Sequence, residues 1–503
     1  MQSSKRPDSE WQRPRVAIAE WPSMDDLDQV LGHVLDLMGG LERYVGPGQH
    51  VLVKPNLVAG GPPSSGGTTH VELVEALVRR LQRLEPGRLV VAEGAAVADP
   101  QGTFALLGYA DMAARTGIEL IDLDRAPHIP VPLADPVYPG VLEVAQPILE
   151  CDTLISVPCL KTHYCAGITV AIKNAFGTVS QETRTRMHRE YRLEECILDL
   201  NRIRSPDLFI VDGLIGSQGL AGGRDFIHAA DAHLMLAADN PVALDAVAVR
   251  LMQQNPNIRY IQWGAEKGLG PAHLVEIDIV GLSLEAAQRD YLTPAEQLTR
   301  SMGNVRLLDL DSCTGCRSVV EMALGRYEAM RLAHPLTVVM GGSHEEATLE
   351  EPAPGEELLV VGDCAAKLRH RGTFIPGCPL DASTLHSYLR EASLICQRCA
   401  PVVQAALAEV AAGPFSRRLR VMAGAEEAYR GPDNSARPSD LTLVVGDCMR
   451  HYYHNSRLRA DQVLGGGEGD NVVLVEGCPP AEDGMRDALR CLAGVDARRA
   501  SAG

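Results

Sequence analysis

The stretch His50–Gly94, HVLVKPNLVAGGPPSSGGTTHVELVEALVRRLQRLEPGRLVVAEG, predicts a strand, a helix and a second strand in that order. The apolar runs at its two ends are rich in Val and Leu, which is typical of buried strands. Between them, VELVEALVRRLQRL has apolar residues at helical spacing. Two strands joined by a crossover helix form a βαβ unit with a parallel strand pair. The stretch therefore predicts an α/β fold.

The same alternation of strands and helices continues over the first three hundred residues. Further strand-like segments read RVAIAEW, IELIDL, TLISVPCLK and DLFIVDG, each bounded by Gly, Pro or Asp. We predict a mostly parallel sheet covered by helices over residues 15–303, preceded by a disordered leader at residues 1–14. Ligands bind outside the carboxyl ends of the strands in such sheets, so polar residues there are site candidates.

Composition excludes several classes of protein. The chain has 503 residues and a net charge of −18, which argues against a binder of nucleic acid or of an anionic membrane. No apolar run approaches the roughly 20 residues that span a bilayer, and the N-terminus lacks a signal core. We expect a cytoplasmic protein. In that reducing compartment, the 13 cysteines indicate metal binding or redox chemistry rather than disulfides.

The six residues LVVGDC occur twice, at Leu359–Cys364 and at Leu443–Cys448. Their surroundings repeat as well: each copy has a Cys-x-x-Cys pair, a helix, two strands of which the second ends in Gly-Asp-Cys, then Gly-Cys-Pro and a helix. A duplication of this kind indicates two copies of one supersecondary unit. We predict two tandem small α/β four-cysteine repeats, at residues 304–388 and 389–503.

Each repeat supplies four thiols in matching order. A Cys-x-x-Cys pair places two thiolates on one turn, and two more arrive from strand ends to complete a tetrahedral shell. We predict two [4Fe-4S] clusters, with two zinc ions or small buried cysteines as alternatives, and the partition of the ligands between the clusters stays open. The predicted ligands are Cys313, Cys316, Cys364, Cys378, Cys396, Cys399, Cys448 and Cys478.

Lysine is rare in this chain, which has six lysines and 41 arginines. Lys54 lies at the end of a predicted strand, Lys161 follows another, and Lys173 lies in the segment AIKNAFGTV. An ammonium group suits an anionic substrate or proton transfer. Ordinary surface or capping roles are the alternative for each residue, and His188, Asp212, Asp239 and Asp245 are weaker candidates. The predicted catalytic residues are Lys161, His163 and Lys173, and the predicted substrate-binding residues are Lys54, Asn56, Thr68, Thr69 and Asn174.

Four segments, VLVKPNLV, LKTHYCAGITVAIKNAFGTV, DLFIVDG and LAADNPVALDAVAVRLM, resemble the family named domain of unknown function 362. Its members carry KPN, KTH and KNxxG motifs in this order, and the resemblance covers roughly residues 15–300. The resemblance implies an iron–sulfur protein, because members are often described as binding such clusters and often carry a ferredoxin-like module. This chain has the duplicated four-cysteine unit in place of a compact ferredoxin run.

Together these features predict an iron–sulfur oxidoreductase. Two clusters would pass electrons from a ferredoxin- or flavodoxin-type donor to a small anionic organic substrate in the N-terminal domain. A non-redox lyase or isomerase that uses a cluster iron as Lewis acid is one alternative, and a zinc-stapled binding or assembly protein is another. Neither a phosphate loop nor a dinucleotide fingerprint occurs in the sequence, and a homodimer is left open.

Overall fold

A computed structural model describes residues 13–57, 61–94, 100–221, 228–325, 330–331, 335–342, 356–391, 395–396, 419–423, 441–445 and 472–475. The chain divides into two compact units, residues 1–297 with 313–318, and residues 298–312 with 319–503. The division of the second unit into two tandem repeats stays a prediction. Most of the predicted leader, residues 1–12, lies outside the described residues.

Strands and helices alternate through the first unit. Its strands are β1 (Arg15–Glu20), β2 (His50–Pro55), β3 (Arg88–Glu93), β4 (Glu119–Asp122), β5 (His128–Val131), β6 (Leu142–Ala145), β7 (Thr153–Val157), β8 (Cys159–His163), β9 (Gly167–Thr169), β10 (Leu208–Ser217), β11 (Ala229–Ala230), β12 (Leu234–Ala238) and β13 (Asp278–Gly281).

The helices up to the boundary of this unit are α1 (Leu27–Leu37), α2 (Val71–Gln82), α3 (Pro100–Leu106), α4 (Tyr109–Thr116), α5 (Gln146–Glu150), α6 (Ala171–Asn174), α7 (Gln181–Arg189), α8 (Leu193–Ile203), α9 (Pro241–Leu251), α10 (Arg259–Glu266), α11 (Leu284–Ala287) and α12 (Pro294–Met302).

The main sheet has the strand order β13-β1-β12-β10-β7-β2-β3-β4. Along this path β12 runs antiparallel to both of its neighbours, and the other neighbouring pairs are parallel. The mostly parallel α/β sheet predicted from the sequence is thus confirmed. From β2 the chain adds β3 and β4 on one side, whereas β7 and β10 lie on the other. The sheet therefore has a topological switch point between β2 and β7, where ligands bind in α/β folds.

Helices pack on this sheet through their apolar residues, which form a stripe in α2 and surround most of α9. Helix α2 buries Leu73, Val74, Leu77, Val78 and Leu81, and this stripe belongs to the same core cluster as the odd-numbered β2 residues Val51 and Val53. Helix α9 is buried along nearly its whole length and packs against β1 and β12. Its N-cap Asn240 accepts the backbone N–H of Ala243 at 3.0 Å.

One predicted strand is divided in two. The segment TLISVPCLK reads as continuous in sequence, but β7 ends at Val157 and β8 begins at Cys159. Pro158 lies between them and has no N–H for the ladder, although its carbonyl accepts the N–H of Asp212 at 2.8 Å. After the break, β8 pairs with the far half of β10 and with β9, which carries Lys161 and His163 beyond the end of β7.

The second unit contains two further sheets. Its elements are β14 (Val305–Leu310), α13 (Thr314–Gly325), β15 (Met330–Arg331), β16 (Leu336–Gly341), β17 (Glu357–Val361), β18 (Thr373–Ile375), α14 (Ala382–Glu391), β19 (Ile395–Cys396), β20 (Leu419–Ala423), β21 (Leu441–Val445) and β22 (Val472–Val475), and α13 begins in the short stretch assigned to the first unit. The sheet orders are β14-β16-β17-β18, all parallel, and β15-β19-β20-β21-β22, in which β20, β21 and β22 are parallel.

The sequence repeat corresponds to a repeat of strands. In the first copy Cys364 follows β17 by three residues and Cys378 follows β18 by three, and these strands are parallel neighbours. In the second copy Cys448 and Cys478 follow β21 and β22 by the same three residues, and those strands are also parallel neighbours. Cys399, Cys448, Cys478 and the side chain of Cys396 lie outside the described residues.

Candidate functional site

A cleft opens at the carboxyl ends of β2 and β3, at the switch point of the sheet. It encloses about 160 Å³, which suits a small organic molecule. The weaker candidate His188 lines it, and so do six of the eight predicted catalytic and substrate-binding residues: Lys54, Asn56, Lys161, His163, Lys173 and Asn174. Its other lining residues are Leu57, Glu93, Gly94, Thr169, Phe176, Gly177, Gln181, Arg184, Thr185 and His188.

A buried ion pair forms one wall of the cleft. Lys54 near the end of β2 donates to Glu93 Oε2 at 2.6 Å, and both side chains are 4% exposed. Glu93 ends β3 and also accepts the backbone N–H of Gly94 at 2.9 Å. Burial lowers the pKa of Lys54 and raises that of Glu93, while the charge of each partner opposes the shift of the other. The pair is held in place because the two strands are parallel neighbours with adjacent carboxyl ends.

Gly177 has no side chain, and this leaves space for the ion pair. A Cβ at this position would lie 2.0 Å from Glu93 Oε1 and 2.9 Å from Lys54 Nζ. Any larger residue would therefore push the carboxylate or the ammonium aside. Gly177 lies just after α6, so this helix and its following turn close the cleft over the ends of β2 and β3.

Two asparagines fix the backbone around the cleft. Asn174 donates to Ser156 Oγ at 2.8 Å and accepts a long bond from Lys54 Nζ at 3.5 Å. Asn56 donates to the carbonyl oxygen of Gly67 at 2.8 Å, and its own N–H donates to Thr69 Oγ1 at 2.9 Å. The amide oxygen of Asn56 has no donor among the described residues, so it is available to a ligand.

Lys161 and Lys173 add two more cations in different settings. Lys161 is buried and donates to the carbonyl oxygen of Gly67 at 2.9 Å, and burial lowers its pKa to about 8. Lys173 is half-buried, with Nζ 5.5 Å from the ring centre of Phe176 and no hydrogen-bond acceptor among the described residues. Burial, followed by the positive charge of Lys161, lowers the pKa of Lys173 to about 7.

The hydrogen bonds of two histidines define where their protons lie. His163 Nδ1 accepts the backbone N–H of Cys165 at 3.0 Å, so the neutral ring carries its proton on Nε2. His188 Nδ1 donates to the carbonyl oxygen of Arg184 at 2.9 Å, so its Nε2 keeps a lone pair. Burial lowers the pKa of His163 well below its usual value and that of His188 to about 4, so both rings are neutral at pH 7.

These two histidines and Cys165 form a group that can hold a metal ion. One ring nitrogen of each histidine and Cys165 Sγ all lie within 4.8 Å of one another. Such a mixture of imidazole and thiol ligands suits zinc and other transition metals. The bond that His163 Nδ1 accepts counts against metal binding, because a ligating histidine normally donates from its second nitrogen. Lys173, when it is protonated, would also repel a cation.

Two predicted substrate-binding residues do not line the cleft. Thr69 Oγ1 donates to the carbonyl oxygen of Val157 at 2.8 Å and accepts the N–H of Asn56, which gives it a role within the fold. Thr68 is also buried, and its hydroxyl has no partner among the described residues. The N–H of His70 at the start of α2 is bonded to Asp212 at 2.7 Å and is not available to an anion.

Comparison with known proteins places this cleft within a described family. The family described as "Domain of unknown function (DUF362)" matches residues 51–250, a range that includes every residue lining the cleft. This part of the chain is therefore similar to the family. A curated relative, the Thylakoid-associated protein sll1697 of Synechocystis sp., is 26% identical over 228 residues, which cover 44% of this chain and 69% of that protein. The family resemblance stated from the motifs is therefore confirmed.

Among solved structures, the lactate racemase apoprotein from Thermoanaerobacterium thermosaccharolyticum matches with a TM-score of 0.30 and 10% identity. The match covers 77% of this chain and 91% of that protein. Among the helices of the described part of the chain, none is both long enough and apolar enough to cross a bilayer.

Several residues that line the cleft escaped the sequence analysis. Glu93 ends a predicted strand, much as Lys54 does. The chain has 65 acidic residues, so one more acid at a strand end did not stand out as the rare lysines did. Thr169 lines the cleft with a buried hydroxyl that has no partner among the described residues. Arg184 closes the cleft from α7, and its guanidinium donates to both carboxylate oxygens of Asp124 at 2.7 Å.

The first predicted Cys-x-x-Cys pair lies close to the β8–β9 hairpin of the first unit. Residues 313–318 belong to the first unit, and Cys316 there is buried. Thr314, between the two cysteines, donates its hydroxyl to Glu194. A Cβ on Gly167 would lie 3.4 Å from the methyl group of Thr314, and Gly167 pairs directly with His163.

Cys364 and Cys378 lie in the second unit on two loops that are bonded together. Asp363 donates its N–H to the carbonyl oxygen of Gly377 at 3.1 Å, and the N–H of Gly377 returns a bond to Asp363 Oδ1 at 2.9 Å. Both thiols are on exposed residues. Gly362, with φ of 84°, makes the turn out of β17 that a residue with a Cβ rarely adopts.

Proposed function

We propose that the protein is an iron–sulfur oxidoreductase whose DUF362 domain binds a small anionic organic substrate in the cleft. The observation that carries the proposal is the charge of this cleft. Lys54, Lys161 and Lys173 line it together, and Glu93, bonded to Lys54, is the one carboxylate among its described lining residues. An anionic ligand would compensate the cost of holding ammonium groups away from water.

Within the cleft, the described groups divide into anion-binding and proton-transfer roles. Lys173 has no acceptor among the described residues, so an oxygen atom of the substrate can supply one. The proton on His163 Nε2 is available as a donor, and the lone pair on His188 Nε2 is available as an acceptor. The pKa of Lys161, about 8, lies near neutral pH, which favours proton transfer by this residue.

The predicted cluster ligands fit the electron-transfer half of the proposal by their chemistry. Thiols that follow neighbouring parallel strands, such as Cys364 and Cys378, suit an iron–sulfur cluster, and they suit zinc as well. A bound cluster would supply single electrons. The packing of Thr314 against Gly167 supports a route to the cleft, because Gly167 pairs with His163 of the β8–β9 hairpin.

The electron donor in this proposal is a ferredoxin- or flavodoxin-type protein. The partition of the eight thiols between two clusters is likewise part of the proposal, because three of them lie outside the described residues. The metal-binding group at His163, Cys165 and His188 is not required by it.

The test of the metal is anaerobic purification followed by metal analysis and electron paramagnetic resonance of the reduced protein. We expect a brown protein with about eight irons per chain and a signal from reduced [4Fe-4S] clusters. A colourless protein with stoichiometric zinc would contradict the oxidoreductase and favour the zinc-stapled alternative.

The test of the cleft is ligand binding. Thermal-shift and calorimetric titrations with small carboxylates and organic phosphates should find ligands for the wild type that bind more weakly to Lys173→Met. Lys267→Met is the matched control, since Lys267 pairs with Asp135 elsewhere in the domain. Equal affinity of the wild type and Lys173→Met for every anion would contradict the assignment of the cleft.

A further inference from the structure

Lys173 differs from the other lysines of the described chain. Lys54 donates to Glu93, Lys161 and Lys367 each donate to a backbone carbonyl, and Lys267 donates to Asp135. Lys173 alone among these five has no hydrogen-bond acceptor in the described residues, although it lines the cleft. An amine that is held beside a substrate site without an acceptor has its nitrogen available for chemistry.

We propose that Lys173 is a nucleophile that forms an imine with the carbonyl carbon of an oxo acid bound in the cleft. This names the substrate class as small carboxylates that also carry a ketone or aldehyde group. The inference rests on the proposed binding of an anion in this cleft, but it does not depend on the metal content of the protein.

The surroundings of Lys173 favour the neutral amine that such a reaction needs. Burial keeps water away from its Nζ, and the nearby ammonium groups of Lys161 and Lys54 disfavour a third positive charge. The ring of Phe176, 5.5 Å away, favours the ammonium and so opposes these two effects. The pKa of about 7 that results leaves a large neutral fraction at physiological pH. Desolvation and a neighbouring cation are the recognised means of activating a lysine towards carbonyl compounds.

Two other residues that line the cleft, Lys161 and Thr169, can hold the carboxylate of the same substrate. Lys161 supplies a charge, the buried hydroxyl of Thr169 lacks a partner among the described residues, and both residues line the cavity. They are adjacent across the β8–β9 hairpin, where Lys161 pairs with Thr169. With its carboxylate bound by these two residues, the oxo acid can turn its carbonyl group towards Lys173, which also lines the cleft.

The step balances with groups that are present in the cleft. The lone pair of neutral Lys173 forms a C–N bond as the carbonyl π electrons move to oxygen, which gives a carbinolamine. His188 Nε2 can take a proton from the nitrogen and return it to the oxygen, because its lone pair is kept free by the bond from Nδ1 to Arg184. The C–O bond then breaks, and both protons of the amine leave with the oxygen as water.

Reductive trapping tests the proposal directly. Wild-type protein is incubated with sodium pyruvate and sodium cyanoborohydride, which reduces an imine to a stable secondary amine. We expect one adduct per chain by intact mass, and peptide mapping should place it on Lys173 among the six lysines. Omission of either pyruvate or the hydride should abolish the adduct. If pyruvate gives no adduct, 2-oxobutyrate, 2-oxoglutarate and acetoacetate are run in the same way.

Variants separate the nucleophile from general lysine reactivity. Lys173→Arg keeps the positive charge but has no nucleophilic amine, so it should lose the adduct. Lys267→Arg is the matched control and should be labelled like the wild type, since Lys267 is bonded to Asp135. Circular dichroism and thermal melting establish that both variants are folded.

The outcomes distinguish this inference from the proposed function. An adduct on Lys161 or Lys54, or no adduct with any of the four oxo acids in a folded wild-type protein, overturns the inference. Clusters and anion binding can still be found in that case, which leaves the oxidoreductase standing. An adduct on Lys173 in a protein that contains zinc and no iron supports the imine and contradicts the oxidoreductase.

Discussion

Two sheet edges in this molecule share one topology, a set of parallel strands that end side by side, but they carry different side chains. At the edge formed by β2, β3 and β7, parallel strands end in a buried cleft lined by ammonium, carboxylate and amide groups. At the edge formed by β17 and β18, parallel strands end in exposed residues that carry thiols. Parallel strands bring their carboxyl ends together in both places, so residues far apart in sequence meet.

The difference between the two edges lies in how charge is compensated. The buried edge holds Lys54 against Glu93 at 2.6 Å, because a charge without a partner is costly when water is excluded. The exposed edge needs no internal counter-charge, and its thiols at Cys364 and Cys378 remain accessible to a metal. We therefore expect substitutions at the buried edge to alter stability and ligand binding, and substitutions at the exposed edge to alter metal content.

The largest expected effect is the loss of metal when a thiol of the exposed edge is removed. Cys364→Ser should lose about half of the iron, because one of two clusters lacks a ligand. Anion binding in the cleft should be unchanged. Iron analysis and the signal of the reduced protein measure the effect, and Cys151→Ser, in which the hydroxyl can still donate to Ile148, is the control. Full iron content in the Cys364 variant would contradict the expectation that thiols of the exposed edge bind the metal.

The next largest effect is expected at the ion pair of the buried edge. Lys54→Met should lower the free energy of unfolding by about 3–5 kcal/mol, because it leaves Glu93 buried without its partner. Chemical denaturation measures this loss. The double variant Lys54→Met/Glu93→Gln removes both charges and should recover much of the stability, while its affinity for anions stays low. If Lys54→Met alone is as stable as the wild type, the ion pair is exposed to water and not buried.

A smaller effect is expected for ligand binding. Lys173→Met should weaken the binding of a small carboxylate by about 2 kcal/mol, the usual value of a hydrogen bond to a charged group. Because Lys173 has no acceptor among the described residues, its removal should cost little stability. Calorimetric titration and a thermal melt measure the two quantities. A variant that loses stability but keeps its affinity would reverse the roles assigned to Lys173 and Lys54.

The sequence predicted the members of the cleft better than it predicted their contacts. Lys54 and Lys161 could be selected because lysine is rare here and both lie at or just beyond strand ends. Glu93 has the same position on β3 but belongs to a common residue type, so the pattern did not reveal it. Gly177 reaches the cleft from the turn after α6, and that packing depends on tertiary contacts which spacing alone does not encode. His188, a weaker candidate from the sequence, also lines the cleft.

For the thiols, the sequence predicted the positions in the fold. The repeat predicted their strand-end positions in both copies, and the strands β17, β18, β21 and β22 lie where the cysteine spacing requires. Thr69 illustrates the limit of such reasoning. A threonine before a helix resembles an anion ligand in sequence, yet its hydroxyl is used by the carbonyl of Val157. Buried hydroxyls compete for backbone partners, and only the folded chain decides which partner each one finds.

The smallest effect, per unit of pH, is a pH dependence of stability to which Lys173 at the buried edge contributes. The pKa of Lys173 is about 7 in the folded protein and returns to its usual 10.5 on unfolding. Between these values the unfolded chain binds more protons, so the free energy of unfolding rises with pH, and this single group contributes at most about 1.4 kcal/mol per unit. Below pH 7 both states are protonated and the contribution is constant.

The comparison of the wild type with Lys173→Met isolates this slope from other titrating groups. Denaturation between pH 7 and 9 should show a steeper rise for the wild type. A bound carboxylate favours the ammonium form and raises the pKa of Lys173, so saturation with ligand should reduce the difference between the two proteins. If the slopes are equal without ligand, the amine is fully charged in the folded cleft, and Lys173 then acts as a permanent cation and not as a nucleophile.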